Sequence, residues 1–220
     1  STMALYSDDG GGFGLGMFGC DECSLDALTI VDNLGNGMVW EEVNETYMTD
    51  STVSRNGLGD MFVRPAFGSG YSGAEVAMSC NNTFTGNHFD GNGLHGLELE
   101  YMSNDNVVED CTADFNGQAG AGPVRPPMSP GAGFLVSDFC WRTEMTGLEA
   151  TGNQYGISVR RMSHETTVDW CEASYNGYTG IYTTDSMVTS ITHNTIHNNS
   201  YNGIYYDFMY DLRSRDGRVP

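Results

Sequence analysis

The chain has 220 residues, enough to bury a continuous core as one domain or as a short repeat array. Its 29 acidic residues outnumber nine cations, all arginine, and the formal charge of −20 argues against nucleic acid as a partner because the surface repels polyanions. No apolar stretch approaches the roughly 20 residues of a membrane span. Abundant glycine and few helix formers favour strands and turns.

Six cysteines and three glycosylation sequons favour an extracellular or cell-surface protein. An even number of cysteines suits an oxidising compartment, and Cys20 and Cys23 are close enough in sequence to form a local disulfide. The sequons begin at Asn44, Asn81 and Asn198. No signal peptide opens the chain, so we expect that a secreted form has already lost it.

A unit of 23 residues begins near residue 21 and recurs seven times. Each unit has two apolar or small positions, eight and three residues before an asparagine, and then a glycine and a short alternating strand. Period-two alternation and β-branched residues are typical of strands. The two apolar columns are the predicted core. The asparagines are Asn33, Asn56, Asn92, Asn116, Asn153, Asn176 and Asn199.

Stacking explains this repeat, because one coil cannot bury its apolar face alone, whereas coils about 4.8 Å apart bury it and pair every strand. An asparagine at a corner tolerates left-handed backbone geometry and can hydrogen bond the asparagines above and below it. The sequence therefore resembles the pectin-lyase-like right-handed parallel β-helix family over residues 21–209. The resemblance implies a single all-β solenoid domain of about eight coils, with a partial coil over 1–20 and a tail over 210–220.

The leucine-rich repeat is the competing interpretation, because residues 25–33 fit its template. The second leucine position of that template is mostly polar or small in later units, as at Ser51 and Asn87. No unit has the helical segment that a horseshoe needs. These observations favour the β-helix.

Two units carry insertions between the asparagine and the glycine, at about 57–72 and 117–132. Both contain a Val-Arg-Pro tripeptide, and loops on a rigid scaffold often carry binding groups. We predict a notch with His95, a catalytic candidate, on its floor and the substrate-binding candidates Arg64 and Arg125 on its walls. The alternative is that the loops pack on each other with their arginines paired to local acids.

A second candidate site lies on the outward face of the strand before each asparagine. There Asp90 and Asp114 occupy neighbouring coils, and His88 and Glu149 lie in the adjoining column. Carboxylates about 5 Å apart could share a proton, bind Ca²⁺ or act as acid and base on a glycosidic bond. These four residues are catalytic candidates, and the alternative is an ordinary solvated acidic face.

The strand after each glycine supplies a third set of outward residues. Glu75, Glu98 and Glu100 are followed in later coils by Tyr182 and Tyr205. Stacked tyrosines suit either a sugar platform or an aromatic ladder that stabilises the sheet. Tyr182 and Tyr205 are therefore substrate-binding candidates.

Two functions remain open. The family resemblance implies a carbohydrate-binding or carbohydrate-processing protein of lyase, hydrolase or epimerase type. Its partner would be a polysaccharide or glycan, and the acidic surface favours a neutral chain or one bridged by Ca²⁺, which is the one cofactor suggested. The alternative is a non-enzymatic subunit of a fibre, surface layer or glycoprotein assembly, which self-associates end to end through uncapped sheet edges.

Overall fold

The computed structural model describes residues 12–58, 71–117, 131–187 and 189–207. These ranges contain 20 short strands and no helix, and hence no helix long and apolar enough to cross a membrane. Every strand pairs in parallel with its equivalents in neighbouring coils, so the chain winds as a parallel β-solenoid. The predicted all-β fold of about eight coils is confirmed, and the leucine-rich repeat is excluded.

The longest sheet, which we call the front sheet, holds the strands that follow the repeat glycines. In spatial order its strands are β1 (Leu15–Phe18), β4 (Met38–Glu41), β7 (Ala74–Ala77), β9 (Leu97–Glu100), β11 (Ala132–Val136), β14 (Tyr155–Val159), β17 (Thr179–Thr184) and β20 (Asn202–Asp207). Spatial order follows chain order, so each coil adds one rung.

The second sheet contains the strands of the first core column. These are β2 (Ser24–Asp26), β5 (Tyr47–Thr49), β8 (Thr83–Thr85), β10 (Val107–Glu109), β12 (Glu144–Thr146), β15 (Thr167–Asp169) and β18 (Ser190–Thr192). The third sheet has two parts, β3 (Thr29–Val31) with β6 (Thr52–Ser54), and β13 (Glu149–Thr151) with β16 (Glu172–Ser174) and β19 (Thr195–His197). Single-residue bridges at His88 and Thr112 connect these parts.

The two predicted apolar columns form the core. Their central members are fully buried, whereas Leu25, Ile191 and Ile196, near the two ends of the described solenoid, are partly buried. Inward residues of the front sheet complete the interior, and the ring of Trp40 stacks on that of Phe84 with centroids 5.1 Å apart. The buried members of the columns are Met48, Phe84, Val108, Met145 and Val168, and Val53, Phe89, Ala113, Ala150 and Ala173.

The asparagine column forms one continuous hydrogen-bonded ladder, as predicted. From Asn33 to Asn176, each backbone N–H donates to the side-chain oxygen of the asparagine one coil later, at 2.7–3.1 Å. Side-chain nitrogens also donate to main-chain carbonyls, as from Asn153 to Ala113 at 2.7 Å. A Cβ on Gly37 would lie 2.5 Å from the Asn56 side-chain nitrogen, so the ladder requires a glycine there.

The left-handed residue at this corner is the one before each asparagine, which corrects the expectation that asparagine itself adopts that geometry. The asparagine turns its side chain inward to build the ladder, so its neighbour makes the bend and carries its own side chain outward. Positive φ angles occur at Asp32, Arg55, Gly91, Phe115, Gly152, Tyr175 and Asn198.

Buried polar residues form further ladders at the other corners. Ser51 Oγ accepts the N–H of Leu28 at 2.9 Å, and Asn87 Oδ1 accepts the N–H of Ser51 at 3.0 Å. Likewise Asn82 Oδ1 accepts the N–H of Thr46 at 3.0 Å. These contacts explain why the second leucine position of the rejected template is polar: it satisfies backbone groups at a turn.

Replacing Asn153 with Ala should lower the free energy of unfolding by about 1–3 kcal/mol, because the Asn116 N–H and the Ala113 carbonyl of the preceding coil lose their buried partner. Gln154→Ala is the matched control, since the Gln154 side chain makes no hydrogen bond within the described residues, and it should change stability by less than about 0.5 kcal/mol. Urea unfolding of the three proteins measures both values. If the two substitutions lower the free energy of unfolding equally, the asparagine ladder does not contribute to stability at Asn153.

Cys20 and Cys23 form a disulfide, and the other four cysteines are free thiols. Burial raises the pKa of Cys111 to about 11, of Cys140 to about 12 and of Cys171 to about 11. Cys80 is only half-buried. The three buried thiols are therefore unreactive towards aqueous electrophiles in the folded protein.

We expect Ellman's reagent to modify one thiol, Cys80, in the native protein and four after denaturation without reductant. Cys80→Ser should abolish the native signal and leave three thiols in the denatured protein. Rapid native labelling of more than one thiol would show that the core at Cys111, Cys140 or Cys171 opens readily.

Candidate functional site

Two neighbouring rungs of the front sheet carry three glutamates on the outward face. Glu75 on β7 pairs directly with Glu98 on β9, and Glu100 follows two residues later. Alternate residues of a strand face the same side, so the three carboxyl groups form one group, which we call the glutamate cluster. Glu75 and Glu98 are half-buried, and Glu100 is 9% exposed.

Side chains at the edge of the front sheet hold two of these carboxylates. Asn36 Nδ2 donates to Glu75 Oε2 at 2.7 Å, and Ser72 Oγ donates to Glu98 Oε2 at 2.9 Å. Burial raises the pKa of Glu75 and of Glu100, and a hydrogen bond between the two opposes the rise in Glu75 and adds to the rise in Glu100. The glutamates are thus oriented by the rigid solenoid.

Burial is the main reason that the glutamates bind protons tightly. Together with the charges of Glu98 and Glu75, it raises the pKa of Glu100 to about 9, so Glu100 is protonated at neutral pH. Burial also raises the pKa of Glu98, although the Ser72 hydrogen bond and the Arg160 charge oppose that rise. Glu100 is therefore a proton donor at neutral pH, whereas Glu98 has partners that favour its ionised form.

Two arginines and an aspartate lie beside the cluster. Hydrogen bonding along the front sheet places Glu100, Ser137 and Arg160 in one column, on successive rungs. Arg161 Nη1 lies 3.0 Å from Asp138 Oδ2. Burial lowers the pKa of Arg160, and its Nε is buried without a hydrogen-bond partner in the described part of the chain.

Further along the same face, five tyrosines enclose a groove of about 280 Å³, which we call the tyrosine groove. Tyr182 and Tyr205 stack with centroids 5.4 Å apart and planes 10° apart, and the other three form a second row. The predicted pair of tyrosines is thus part of a larger arrangement. The groove is lined by Tyr155, Tyr178, Thr179, Tyr182, Tyr201, Asn202 and Tyr205.

The chain matches the family model described as right handed beta helix region over residues 7–157 and 132–212. It belongs to that family. The match confirms the resemblance inferred from the asparagine repeat, including the handedness of the coil. No curated protein sequence matches this β-helix significantly.

Three of the similar solved structures are named as enzymes that act on polysaccharides. The A-module of Azotobacter vinelandii mannuronan C-5 epimerase AlgE6 has a TM-score of 0.59, 18% identity, and coverage of 82% of this chain and 42% of that chain. A mutant of the periplasmic alginate epimerase AlgG has a TM-score of 0.59 and 14% identity, and the match covers 90% of this chain and 48% of that chain. Pectate lyase Pel9A has a TM-score of 0.51 and 17% identity, and the match covers 83% of this chain and 50% of that chain. This β-helix spans half or less of their lengths, and at such identity the likeness concerns the fold.

The structure places Asp90 and Asp114 on neighbouring rungs of the third sheet, as predicted, but both carboxylates bind main-chain groups. Asp90 Oδ1 accepts the N–H of Asp114 at 2.8 Å, and Asp114 Oδ1 accepts the N–H of Thr151 at 2.7 Å. His88 Nδ1 lies 2.9 Å from the Thr112 hydroxyl, and that hydroxyl donates to Asp90. These contacts continue the side-chain ladders where regular strands are missing.

Glu149 lies on the rung after Thr112 and is exposed. It therefore belongs to the same face as Asp90, Asp114 and His88. A catalytic role for this face stays a prediction. In the described residues, no group of three or more His, Cys, Asp or Glu side chains is arranged to hold a metal ion, and the suggested Ca²⁺ also stays a prediction.

His95 lies between the bases of the two inserted loops. Its Nδ1 accepts the N–H of Ala132 at 2.9 Å, its side chain is buried, and burial lowers its pKa to about 3, so the ring is neutral. Gly117 packs against Gly131, so the second loop leaves and returns at one corner. Arg64 and Arg125 lie outside the described residues. The notch they were predicted to line, and a catalytic role for His95, remain predictions.

The three sequon asparagines occupy turns. Asn44 is half-buried and uses its amide fully, donating to Asp21 at 3.0 Å and accepting the N–H of Cys80 at 2.9 Å. Asn81 and Asn198 are exposed in left-handed positions. Asn81 and Asn198 are therefore the more accessible of the three predicted glycosylation sites.

The sequence predicts the three glutamates as outward residues but not as a site. Alternation of apolar and polar residues predicts that they share a face, whereas their close approach and partial burial depend on which rungs are neighbours, and the structure shows this. For the same reason the sequence does not single out Arg160 or Tyr155. The one usable signal is that Glu75 and Glu98 occupy equivalent positions of consecutive repeats, with Glu100 on the same face.

Burial, with smaller contributions from the charges of Asp90 and Glu149, raises the pKa of Asp114 to about 6. A raised carboxyl pKa means that the folded state holds the proton more tightly, so this stabilisation is complete below about pH 4 and is lost as pH rises through about 6. Asp114→Asn keeps the acceptor for Thr151. Relative to wild type, the variant should become more stable as pH rises from 4 to 7 in urea unfolding.

Asp169→Asn is the control of opposite sign, because hydrogen bonds from His193 and Thr192 lower the pKa of Asp169. That substitution should become relatively more destabilising as pH rises from about 2 to 5. If Asp114→Asn shows the same sign as Asp169→Asn, the protonated form of Asp114 does not stabilise the fold.

Proposed function

We propose that this β-helix processes a polysaccharide laid along its front sheet, by acid–base chemistry at Glu100 and Glu98. The observation that carries this proposal is the glutamate cluster, in which Glu100 retains a proton at neutral pH beside a second carboxyl group. Displaced pKa values in neighbouring carboxyl groups are characteristic of acid–base sites. Lyases, hydrolases and epimerases all need an acid and a base that reach one sugar.

In this proposal Glu100 is the acid and Glu98 is the base. Glu98 is the better base because Ser72 and Arg160 favour its carboxylate form. Glu75, hydrogen bonded to Glu100, positions the acid. Arg160 balances part of the negative charge that appears when Glu100 gives up its proton.

Three further observations support a polysaccharide as the partner. The glutamate cluster lies on an elongated sheet, the tyrosine groove lies on the same sheet, and three similar solved structures are named as a mannuronan C-5 epimerase, an alginate epimerase and a pectate lyase. The third-sheet aspartates are weaker candidates because their oxygens already accept main-chain N–H groups.

We infer an extracellular setting from the disulfide, the exposed sequons at Asn81 and Asn198, and the word periplasmic in the name of one similar structure. The non-enzymatic alternative, a subunit that associates end to end, stays a competing proposal. It predicts assembly that depends on concentration and no released sugar.

Glu100→Gln should reduce turnover by roughly 10²–10⁴-fold, because the amide cannot supply the proton. In the wild type, kcat should fall as pH rises through about 9, where Glu100 loses its proton, and the residual rate of the variant should lack that limb. Release of reducing ends and of unsaturated products from a panel of polysaccharides measures turnover.

The matched control is Asp90→Asn combined with Asp114→Asn, which should keep the wild-type rate. If this double variant loses activity while Glu100→Gln keeps it, the catalytic face is the third sheet. If the wild type modifies none of the polysaccharides and forms filaments, the structural alternative replaces the enzymatic one.

A further inference from the structure

The tyrosine groove has two walls and one closed end. Tyr155, Tyr178 and Tyr201 form one row with centroids 5.4–5.6 Å apart, and Tyr182 and Tyr205 form the other. Tyr155 also contacts Tyr182 at 4.8 Å, which joins the rows at the end nearer the glutamate cluster. Thr179 and Asn202, paired on β17 and β20, lie between the rows.

The tyrosine rings leave surface for a ligand. Centroids more than 5 Å apart mean that the rings within a row overlap only in part, so part of each face stays open. Tyr178 is 42% exposed and Tyr201 73%. Aromatic faces bind the C–H surface of a sugar ring, and phenol, hydroxyl and amide groups along the groove can bind its hydroxyls.

The charge around the groove selects against anionic chains. Within the described ranges, the residues that line it carry no charge. On the front sheet and its edge nearby, the acids Glu75, Glu98, Asp138 and Asp207 outnumber the cations Arg160 and Arg161 even without the protonated Glu100, and the whole chain carries −20. A polyuronate would add one negative charge per sugar to a surface that already repels anions.

We propose that the tyrosine groove binds an uncharged polysaccharide, which continues along the front sheet to Glu98 and Glu100. The direction of the chain rests on the proposed function, whereas binding in the groove does not. Tyr182 and Glu98 share one column with the buried residues Leu135 and Ser158 between them, so they lie three rungs, or about 14 Å, apart along the sheet. The groove is slightly smaller than the roughly 300–1,000 Å³ of whole small-ligand pockets, which suits a segment of a longer chain.

An uncharged substrate restricts the reaction. Elimination and epimerisation remove a proton next to a sugar carboxylate, which a neutral sugar lacks, so hydrolysis is the class that remains. In that step the glycosidic C–O bond breaks and its oxygen takes the proton of Glu100. The oxygen of water bonds to the anomeric carbon, and the proton of that water passes to Glu98.

Affinity gel electrophoresis tests the inference without catalysis. The gels contain either neutral polysaccharides (xyloglucan, galactomannan, mixed-linkage glucan) or polygalacturonate and alginate at equal ionic strength. We expect retardation by at least one neutral chain and by neither acidic chain. Tyr178→Ala combined with Tyr182→Ala should weaken binding about tenfold or more, because the sugar chain loses a ring face from each wall of the groove.

Tyr175→Ala is the control, because Tyr175 is 61% exposed, contacts His197 and does not line the groove. It should leave retardation unchanged, and urea unfolding of all variants separates lost binding from lost folding. Retardation by an acidic chain alone, by no chain at all, or equally in wild type and the groove variant would overturn the inference and leave the tyrosines as a stabilising ladder.

Glu100→Gln separates this inference from the proposed function. In the Glu100→Gln background, Tyr178→Ala combined with Tyr182→Ala should weaken retardation by the same factor as in the wild type, because Glu100 lies outside the groove. Neutral-chain binding that depends on the tyrosines, together with no turnover of any polysaccharide, would reject the enzyme but keep the binding site. Turnover that is lost in Glu100→Gln but unchanged in the tyrosine variant would support the enzyme and reject the groove as a binding site.

Discussion

The solenoid depends on one interaction, the hydrogen bond from a turn N–H to a side-chain oxygen one coil later. Strands in each coil are only three to six residues long, so many backbone groups lie at corners where no sheet can pair them. The asparagine ladder from Asn33 to Asn199, with Ser51, Asn87 and Asn82 at other corners, supplies those partners. Because every coil is satisfied by the next, the rung spacing is fixed throughout.

A fixed rung spacing turns sequence columns into surfaces. Equivalent residues of consecutive coils must lie side by side, whatever their chemistry, so three outward glutamates on two rungs become a coupled acid cluster and five tyrosines become a groove. The third sheet shows the converse. There Asp90 and Asp114, one rung apart, are used to complete the ladder. The two faces therefore differ in what their carboxylate oxygens accept: main-chain N–H groups on the third sheet and side-chain donors in the glutamate cluster.

The repeat could be predicted from sequence because its constraints are local and periodic: the asparagine, the glycine and the two apolar columns each recur at fixed spacing. The left-handed residue was misassigned because both it and the asparagine suit a turn, and only the ladder shows that the asparagine side chain points inward. The site was harder to predict. His95 and Asp114 look like free catalytic groups in sequence, but burial and hydrogen bonds to Ala132 and Thr151 engage them.

The glutamate cluster opposes folding, since burial raises all three carboxyl pKa values and the charge of Glu98 adds to the rise in Glu100 and Glu75. A solenoid tolerates such a local cost because its stability is a sum of contacts between neighbouring coils. Beneath Glu75 and Glu98 lie Val76, Leu97 and the stacked pair of Trp40 and Phe84, which are fully buried. The inward columns can therefore hold the rungs together while the outward columns keep an arrangement that stability alone would not favour, which is the physical reason to look for function there.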